Sequence, residues 1–158
     1  MKIKDVLAKV DAIIHKELIS ELTAQGHKNT GELERSIKGQ IDGERLQGVA
    51  LAYIQYLNYG FDKSKASYSQ VPFLINYFKS KGLNDKEAKQ AAFATVSAWK
   101  REGMPTQGSY QYSKNGFRKD VIENLIKATE QPIKTELTNG VHKMYQEKLF
   151  SKGKKIKY

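Results

Sequence analysis

The sequence predicts an α+β fold: a long N-terminal helix, a short antiparallel sheet (a hairpin), and then several helices with a long extended arm. Apolar residues recur at helical spacing over the first 24 residues, as in an amphipathic helix. A strand-like segment then turns at Asp42-Gly43, a strong hairpin signal. Further on, Glu87 follows Asn84 by three residues, the spacing of a capping box. This order of elements is that of an α+β protein.

The first helix is expected over residues 3–24. One stripe of large apolar side chains supports it: Ile3, Leu7, Val10 and Ile14, widened by Val6, Ile13, Leu18 and Leu22. Gly26 is a plausible stop. Asn29 and Thr30 then offer oxygens for a new helix start, with Glu32 at capping-box spacing from Asn29. This second helix should have only about two turns, because the following residues alternate like a strand.

The hairpin is expected to pair residues 37–41 with 46–52 around Asp42-Gly43. A lone hairpin is marginal in water, so it should lie on the first helix, extend a neighbour's sheet, or do both. Residues 53–59 either continue the strand or turn into a short helix, since their tyrosines recur every three residues. Residues 60–71 have the composition of an exposed loop.

Three helices should follow, over about residues 73–81, 85–102 and 119–149. Pro132 lies inside the last of these and should kink or restart it. Residues 103–117, rich in Gly, Pro, Ser and Asn-Gly, predict a long loop or extended arm. Loops of this length tend to be functional or disordered. Tyr110 and Tyr112 would share one face if the arm is extended, and we expect it to dock on a partner.

Composition favours a single domain with a modest core. The chain has 158 residues, of which 39% are hydrophobic and 28% charged, and its apolar share is below the usual 45–50% or so. Lysines and arginines exceed acidic residues by ten, which favours a polyanionic neighbour or serves only solubility. The chain has no cysteine, which excludes disulfides and thiolate sites and fits synthesis in a reducing cytoplasm. No membrane span or signal peptide is expected.

No catalytic constellation is evident in the sequence. The three histidines, His15, His27 and His142, show no metal-type spacing. Glu17 and Glu21 are four residues apart, but ordinary helix-surface pairing explains them better than acid–base chemistry. There is no phosphate loop and no nucleotide fingerprint. We therefore expect no enzyme activity, no cofactor, no metal and no small-molecule substrate.

Basic residues interleaved with tyrosines leave two interpretations open. The sets Lys63, Lys65 and Tyr68, and Tyr110, Tyr112, Lys114 and Arg118, could stack on and neutralise a nucleic-acid strand. Tyr and Arg are also favoured in protein interfaces, and we expect this second use more. The last residues form a basic tail, 151–158, in which we expect a polyanion contact at Lys152, Lys154, Lys155 and Lys157.

Three short phrases resemble those of tailed-bacteriophage tail-completion (neck, head–tail joining) proteins. Residues 30–37, Thr-Gly-Glu-Leu-Glu-Arg-Ser-Ile, are similar to the family's T-G-x-L-x-x-S-I segment. Residues 53–60 match its Y-A-x-Y-x-E-x-G phrase at Tyr53, Tyr56 and Gly60, and depart from it at Ile54 and at Asn58, where an acid is usual. Residues 71–74 contain its P-F-L phrase. Residues 75–118 resemble an insertion before the last helix.

The resemblance implies a structural virion protein that occurs as a ring at the neck, between the head connector and the tail. Its domain would be residues 1–150, with the insertion inside it. Its partners would be copies of itself, portal or connector proteins and tail proteins, with contact to DNA in the channel and none to membranes. Assembly would take place in the cytoplasm of the host bacterium. The expected subunit-interface residues are Tyr53, Tyr56, Tyr59, Gly60, Tyr68, Trp99, Tyr110, Tyr112 and Phe117.

Two alternatives remain open at this point. The first is a phage-encoded, basic nucleic-acid-binding protein that uses the C-terminal tail. The second is another ring or terminator component of the tail, at a different position in the virion.

Overall fold

The computed structural model describes residues 2–28 and 30–153, and side chains up to Ser151. The chain forms two compact units. The first unit consists of the residues up to Ile54 together with those from Val121 onward, and the second is Gln55–Asp120. The expectation of a single domain over residues 1–150 stays a prediction.

The α+β layout predicted from the sequence is confirmed: a long N-terminal helix, a two-stranded antiparallel hairpin, then several helices. The helices are α1 (Ile3–Ala24), α2 (Glu32–Ser36), α3 (Ile54–Tyr59), α4 (Val71–Ser80), α5 (Asp85–Glu102) and α6 (Val121–Gly153). The strands are β1 (Lys38–Asp42) and β2 (Arg45–Val49). Short 3₁₀ turns cover Lys63–Lys65, Tyr68–Gln70 and Gln107–Tyr112. Of the two alternatives for residues 53–59, the short helix is the one observed.

The core of the first unit is the packing of α1 against α6. The two helices run antiparallel, because the Lys9 ammonium pairs with Glu136 at 2.7 Å while the Asn124 amide donates to Glu21, near the other end of α1, at 2.8 Å. The buried apolar side chains come from both helices: Val6, Leu7, Val10, Leu18, Leu22, Val121 and Leu125. The apolar stripe of α1 that the sequence predicts is thus the face it buries.

Helix α6 continues through Pro132, so of the two expected outcomes the restart is wrong, and the kink stays a prediction. It is assigned as one helix of 33 residues. Proline removes one backbone donor inside a helix. Here residues on both sides of it are held to α1, by the Asn124 and Glu136 contacts. These tertiary contacts support helical structure on both sides of the missing hydrogen bond, because packing outweighs local propensity.

The hairpin turns where the sequence predicts, and it contacts α1. Its register pairs Asp42 with Arg45 and Lys38 with Val49, which leaves a two-residue loop. Gly43 opens that loop with φ of +58°, a conformation that glycine adopts without steric cost. At Gly39 in β1, an added Cβ would overlap the carboxylate of Asp11 on α1. Glycine at this position therefore allows the strand to lie directly on the helix.

The second unit is built around α4 and α5. Val71, Ala92 and Val96 form its buried cluster, and Leu74, Ile75, Phe78 and Trp99 pack on it. The predicted start of α5 is confirmed, because the Asn84 side chain accepts hydrogen bonds from the backbone N–H groups of Lys86 and Glu87, both at 3.0 Å. Asn29, the expected cap of α2, lies outside the described residues.

The arm expected at residues 103–117 is not extended over its central part. Gln107–Tyr112 forms a 3₁₀ helix, stabilised because the Glu102 carboxylate accepts from the Gln107 N–H at 3.0 Å and Ser109 Oγ donates to the Thr106 carbonyl at 2.7 Å. The segment is also anchored at its start, where Met104 exchanges backbone hydrogen bonds with Phe61 at 2.8 and 2.9 Å. Tyr110 and Tyr112 therefore do not share one face of an extended strand.

Candidate assembly surfaces

The hairpin leaves most of its surface to solvent. Of its ten strand residues, Ile41 and Leu46 are half-buried and the other eight are exposed. In the part of the chain that the structure describes, no third strand pairs with β1 or β2. Two strand edges thus offer free backbone donors and acceptors, the feature that other chains recognise when they add a strand.

The register shows which groups point outward from β2. In a hairpin closed by two residues, the pair beside the turn exchanges hydrogen bonds, and paired and unpaired positions then alternate. Here the pairs are Asp42–Arg45 and Gln40–Gln47, so the N–H groups of Leu46 and Gly48 lie on the open edge. An added Cβ at Gly48 would meet nothing within 4 Å. The edge is sterically open at this point.

The C-terminal part of α6 presents a second exposed apolar surface. The contacts of α6 with α1 run from Asn124 opposite Glu21 to Gly140 opposite Val6. Helix α6 continues for 13 residues past Gly140, whereas α1 begins at Ile3, three residues before Val6. Beyond this overlap Tyr145, Leu149 and Phe150 are 64%, 55% and 74% exposed. Large apolar side chains of this kind mark contact surfaces when they cluster.

A shallow groove of about 490 Å³ runs along α1 and α6. It is mainly apolar and is lined by Ile14, Leu125, Ile126, Thr129, Glu130, Ile133, Lys134, Leu137 and Thr138. Among these nine lining residues, Glu130 is the one acidic side chain and there is no histidine. Its chemistry suits apolar contact rather than catalysis.

The aromatic residues expected at a subunit interface fall into different settings. Tyr53 belongs to the first unit, and the others belong to the second. Tyr56 and Trp99 both contact Phe61 edge-to-face, with ring centroids 6.2 and 5.3 Å away, and Trp99 also packs on the buried cluster. Trp99 therefore supports the core of its unit. All the expected rings other than Trp99 are exposed: Tyr53, Tyr56, Tyr59, Tyr68, Tyr110, Tyr112 and Phe117.

Gly60 has a clear structural reason. Its φ is +69°, and an added Cβ would overlap the carbonyl oxygen of Met104. The glycine that the resemblance singled out thus permits a close backbone approach inside the second unit. Asn58, at the position where the family favours an acid, is buried, and its carbonyl accepts from the Asp120 N–H at 2.7 Å.

Among the described residues, four side chains have shifted pKa values. Hydrogen bonds, chiefly from Ser64 and from Lys79 respectively, lower the pKa of the exposed carboxyls of Asp62 and Asp85. The other two groups are Tyr53 and Arg118. Burial raises the pKa of the Tyr53 hydroxyl, and the negative charge of Glu32 raises it further. Burial lowers the pKa of the Arg118 guanidinium, although it stays charged at any physiological pH. Neither group lies beside a second titratable group with an opposing shift, the arrangement that acid–base pairs need.

One cluster was not predicted from the sequence: Tyr68 contacts Phe93 and Lys100. The rings of Tyr68 and Phe93 are 6.0 Å apart, and the Lys100 ammonium lies 5.3 Å from the centre of the Tyr68 ring. The signal for it was present: Lys86, Phe93 and Lys100 are spaced by seven residues on α5, which places them on one helix face.

Among residues 2–28 and 30–153, no group of three or more His, Asp or Glu side chains could hold a metal ion. None of the described helices is both long and apolar enough to cross a membrane. The polyanion contact expected at Lys152, Lys154, Lys155 and Lys157 lies outside the described side chains.

Comparisons with known proteins add no family. No protein-family model, no curated protein and no solved structure matches the chain.

Proposed function

We propose that this protein is a structural subunit of a tailed-phage virion, which forms a ring at the neck and joins the head connector to the tail. The observation that carries the proposal is the hairpin, whose two strand edges are open in the described part of the chain. A hairpin of this length is marginal by itself. A neighbouring copy that pairs with the open edge would stabilise both.

The exposed end of α6 supports the same proposal. Tyr145, Leu149 and Phe150 expose most of their surface. They lie on the part of α6 that extends past the N-terminus of α1. Contacts of one kind that repeat head-to-tail close into a ring when the rotation between copies allows it. We propose the neck as the position of this ring because three sequence phrases resemble those of neck proteins.

Assembly is the direct test. Analytical ultracentrifugation over a concentration series, with negative-stain microscopy of the largest species, should show closed rings of one fixed copy number. A chain that stays monomeric at every concentration, with and without lysate of phage-infected cells containing the connector, would contradict the proposal.

The hairpin edge can be tested separately with a matched pair of variants. Gly48→Pro removes the outward N–H of β2, which an added strand would use, while leaving the paired positions of the hairpin unchanged. Gly48→Ala keeps that N–H and adds a methyl group into open space. We expect the alanine variant to assemble like the natural chain and the proline variant to stay monomeric, with unchanged helical circular dichroism in both.

A basic nucleic-acid-binding protein is the second candidate function. It is favoured by the charge of the second unit, which has eleven lysines and arginines against five acidic residues. Another tail ring or terminator component would share the assembly surfaces and differ only in its neighbours in the virion.

A further inference from the structure

One face of α5 combines lysines with an aromatic pair. Lys86, Lys89, Phe93 and Lys100 lie within about 60° of one another around the helix axis, given about 100° of rotation per residue. All four are exposed. Tyr68, on the 3₁₀ turn that packs against α5, completes this surface. We call these five residues the α5 strip; it spans about 21 Å at 1.5 Å per residue.

The positive charge of the α5 strip is not neutralised locally. In the described part of the chain, none of its three lysines has a carboxylate oxygen within 4 Å. The carboxylates of α5 itself are engaged elsewhere. Asp85 pairs with Lys79 at 2.7 Å, Glu87 accepts from the Asn84 N–H, and Glu102 accepts from the Gln107 N–H.

The rings of the α5 strip are placed among those charges. Tyr68 is 50% and Phe93 44% exposed, so both keep surface available to a ligand. Lys100 lies over the Tyr68 ring, an attraction between cation and π face that holds the ammonium beside the aromatic pair. Lys86 precedes Phe93 by seven residues, and therefore lies about 10 Å along the helix on its other side.

We propose that the α5 strip binds single-stranded nucleic acid. A nucleotide has a flat base and an anionic phosphate, and the strip offers a ring for the first and ammonium groups on both sides for the second. A duplex hides its base faces inside the stack, so it could use the lysines but not the rings. An acidic protein surface would likewise leave the rings without a stacking partner. This activity does not depend on ring assembly, and either can fail without the other.

Fluorescence anisotropy of the full chain with a labelled oligothymidylate of about 20 nucleotides tests the proposal. We expect Phe93→Ala to weaken binding about 30-fold, the middle of the range for loss of one base stack. Phe73→Ala removes a ring that is 77% exposed on α4, outside the α5 strip, and should leave binding unchanged. With about three phosphates neutralised, raising the salt from about 50 to about 200 mM should weaken binding about 20-fold.

Charge variants separate a local site from general attraction. Lys86→Gln with Lys100→Gln should weaken binding more than tenfold, whereas Lys4→Gln with Lys16→Gln, the same charge change on exposed lysines of α1, should change it less than threefold. Equal losses in the two double variants would overturn the proposal. So would equal affinity for duplex and single strand, polyglutamate binding with the same dependence on Phe93, or absence of binding at micromolar protein in low salt.

Discussion

Gly140 is the point at which α6 most closely approaches α1, and its replacement by alanine gives a quantitative test of that packing. An added Cβ would lie 2.6 and 2.8 Å from the two γ-carbons of Val6, well inside the optimum of about 3.5–4.0 Å. Val6 is fully buried and, being β-branched, has little freedom to rotate away. The helices must therefore separate by a sizeable fraction of an ångström to admit the methyl group.

Replacing Gly140 with alanine is expected to destabilise the fold, whereas the same replacement at an ordinary helix position stabilises it. Glycine to alanine in a helix interior normally stabilises by about 1 kcal/mol, but overpacking costs about 1–3 kcal/mol. We expect Gly140→Ala to lower the free energy of unfolding by about 1 kcal/mol. Val6→Ala alone removes two buried carbons and should cost about 2 kcal/mol.

The double variant is decisive, because Val6→Ala removes the two carbons that the new methyl group would strike. Gly140→Ala with Val6→Ala should cost about 1 kcal/mol instead of about 3, a coupling of about 2 kcal/mol, as expected for residues in contact. Urea denaturation followed by circular dichroism measures all three variants. Gly108→Ala is the control, since its added Cβ meets nothing within 4 Å. Additive losses, or a stabilised Gly140→Ala, would refute the close approach of the two helices.

Three further predictions concern single interactions. Asn84→Ala should destabilise the second unit by about 1 kcal/mol through loss of the helix cap, as measured by denaturant unfolding followed through Trp99 fluorescence; an unchanged midpoint would contradict the cap. Tyr53 should ionise at higher pH than an ordinary tyrosine, so its contribution to stability is complete below about pH 10 and is lost as pH rises through the folded-state pKa; the phenolate absorbance of the natural chain minus that of Tyr53→Phe should show this late step. The hydrogen bond from Lys79 holds the pKa of Asp85 below its usual value. The contribution of ionised Asp85 to stability is therefore present above the ordinary pKa and is lost as pH falls through the folded-state pKa. In Lys79→Gln, carboxyl NMR titration should show that the pKa of Asp85 has returned to normal.

The elements that the sequence predicts best are those whose signals are local. The bounds of α1 follow from its apolar spacing, the start of α5 follows from Asn84 and Glu87, and the turn follows from Asp42-Gly43. Each of these three features depends on residues that lie close together in the sequence. Such short-range determinants can be recognised without knowledge of the tertiary structure.

The elements that differ from expectation depend on contacts distant in sequence. The segment after Gly103 is anchored by the Met104–Phe61 backbone pair. No local sequence pattern predicts this pair. Pro132 lies in an unbroken helix because α1 holds α6 on both sides of it. The Tyr68–Phe93 contact likewise joins residues 25 positions apart. The only sequence signal for the α5 strip was therefore the seven-residue spacing of Lys86, Phe93 and Lys100.

The distribution of these surfaces bears on how the two proposals relate. The open strand edges and the exposed end of α6 belong to the first unit, which also contains the T-G-x-L-x-x-S-I phrase. The α5 strip belongs to the second unit, within the segment that the resemblance leaves unmatched, and that unit has its own buried cluster around Val96. A segment with its own core can carry a binding function without altering the contacts of the rest. If the chain forms rings, loss of Phe93 should therefore leave the rings intact while weakening nucleic-acid binding, and Gly48→Pro should do the reverse.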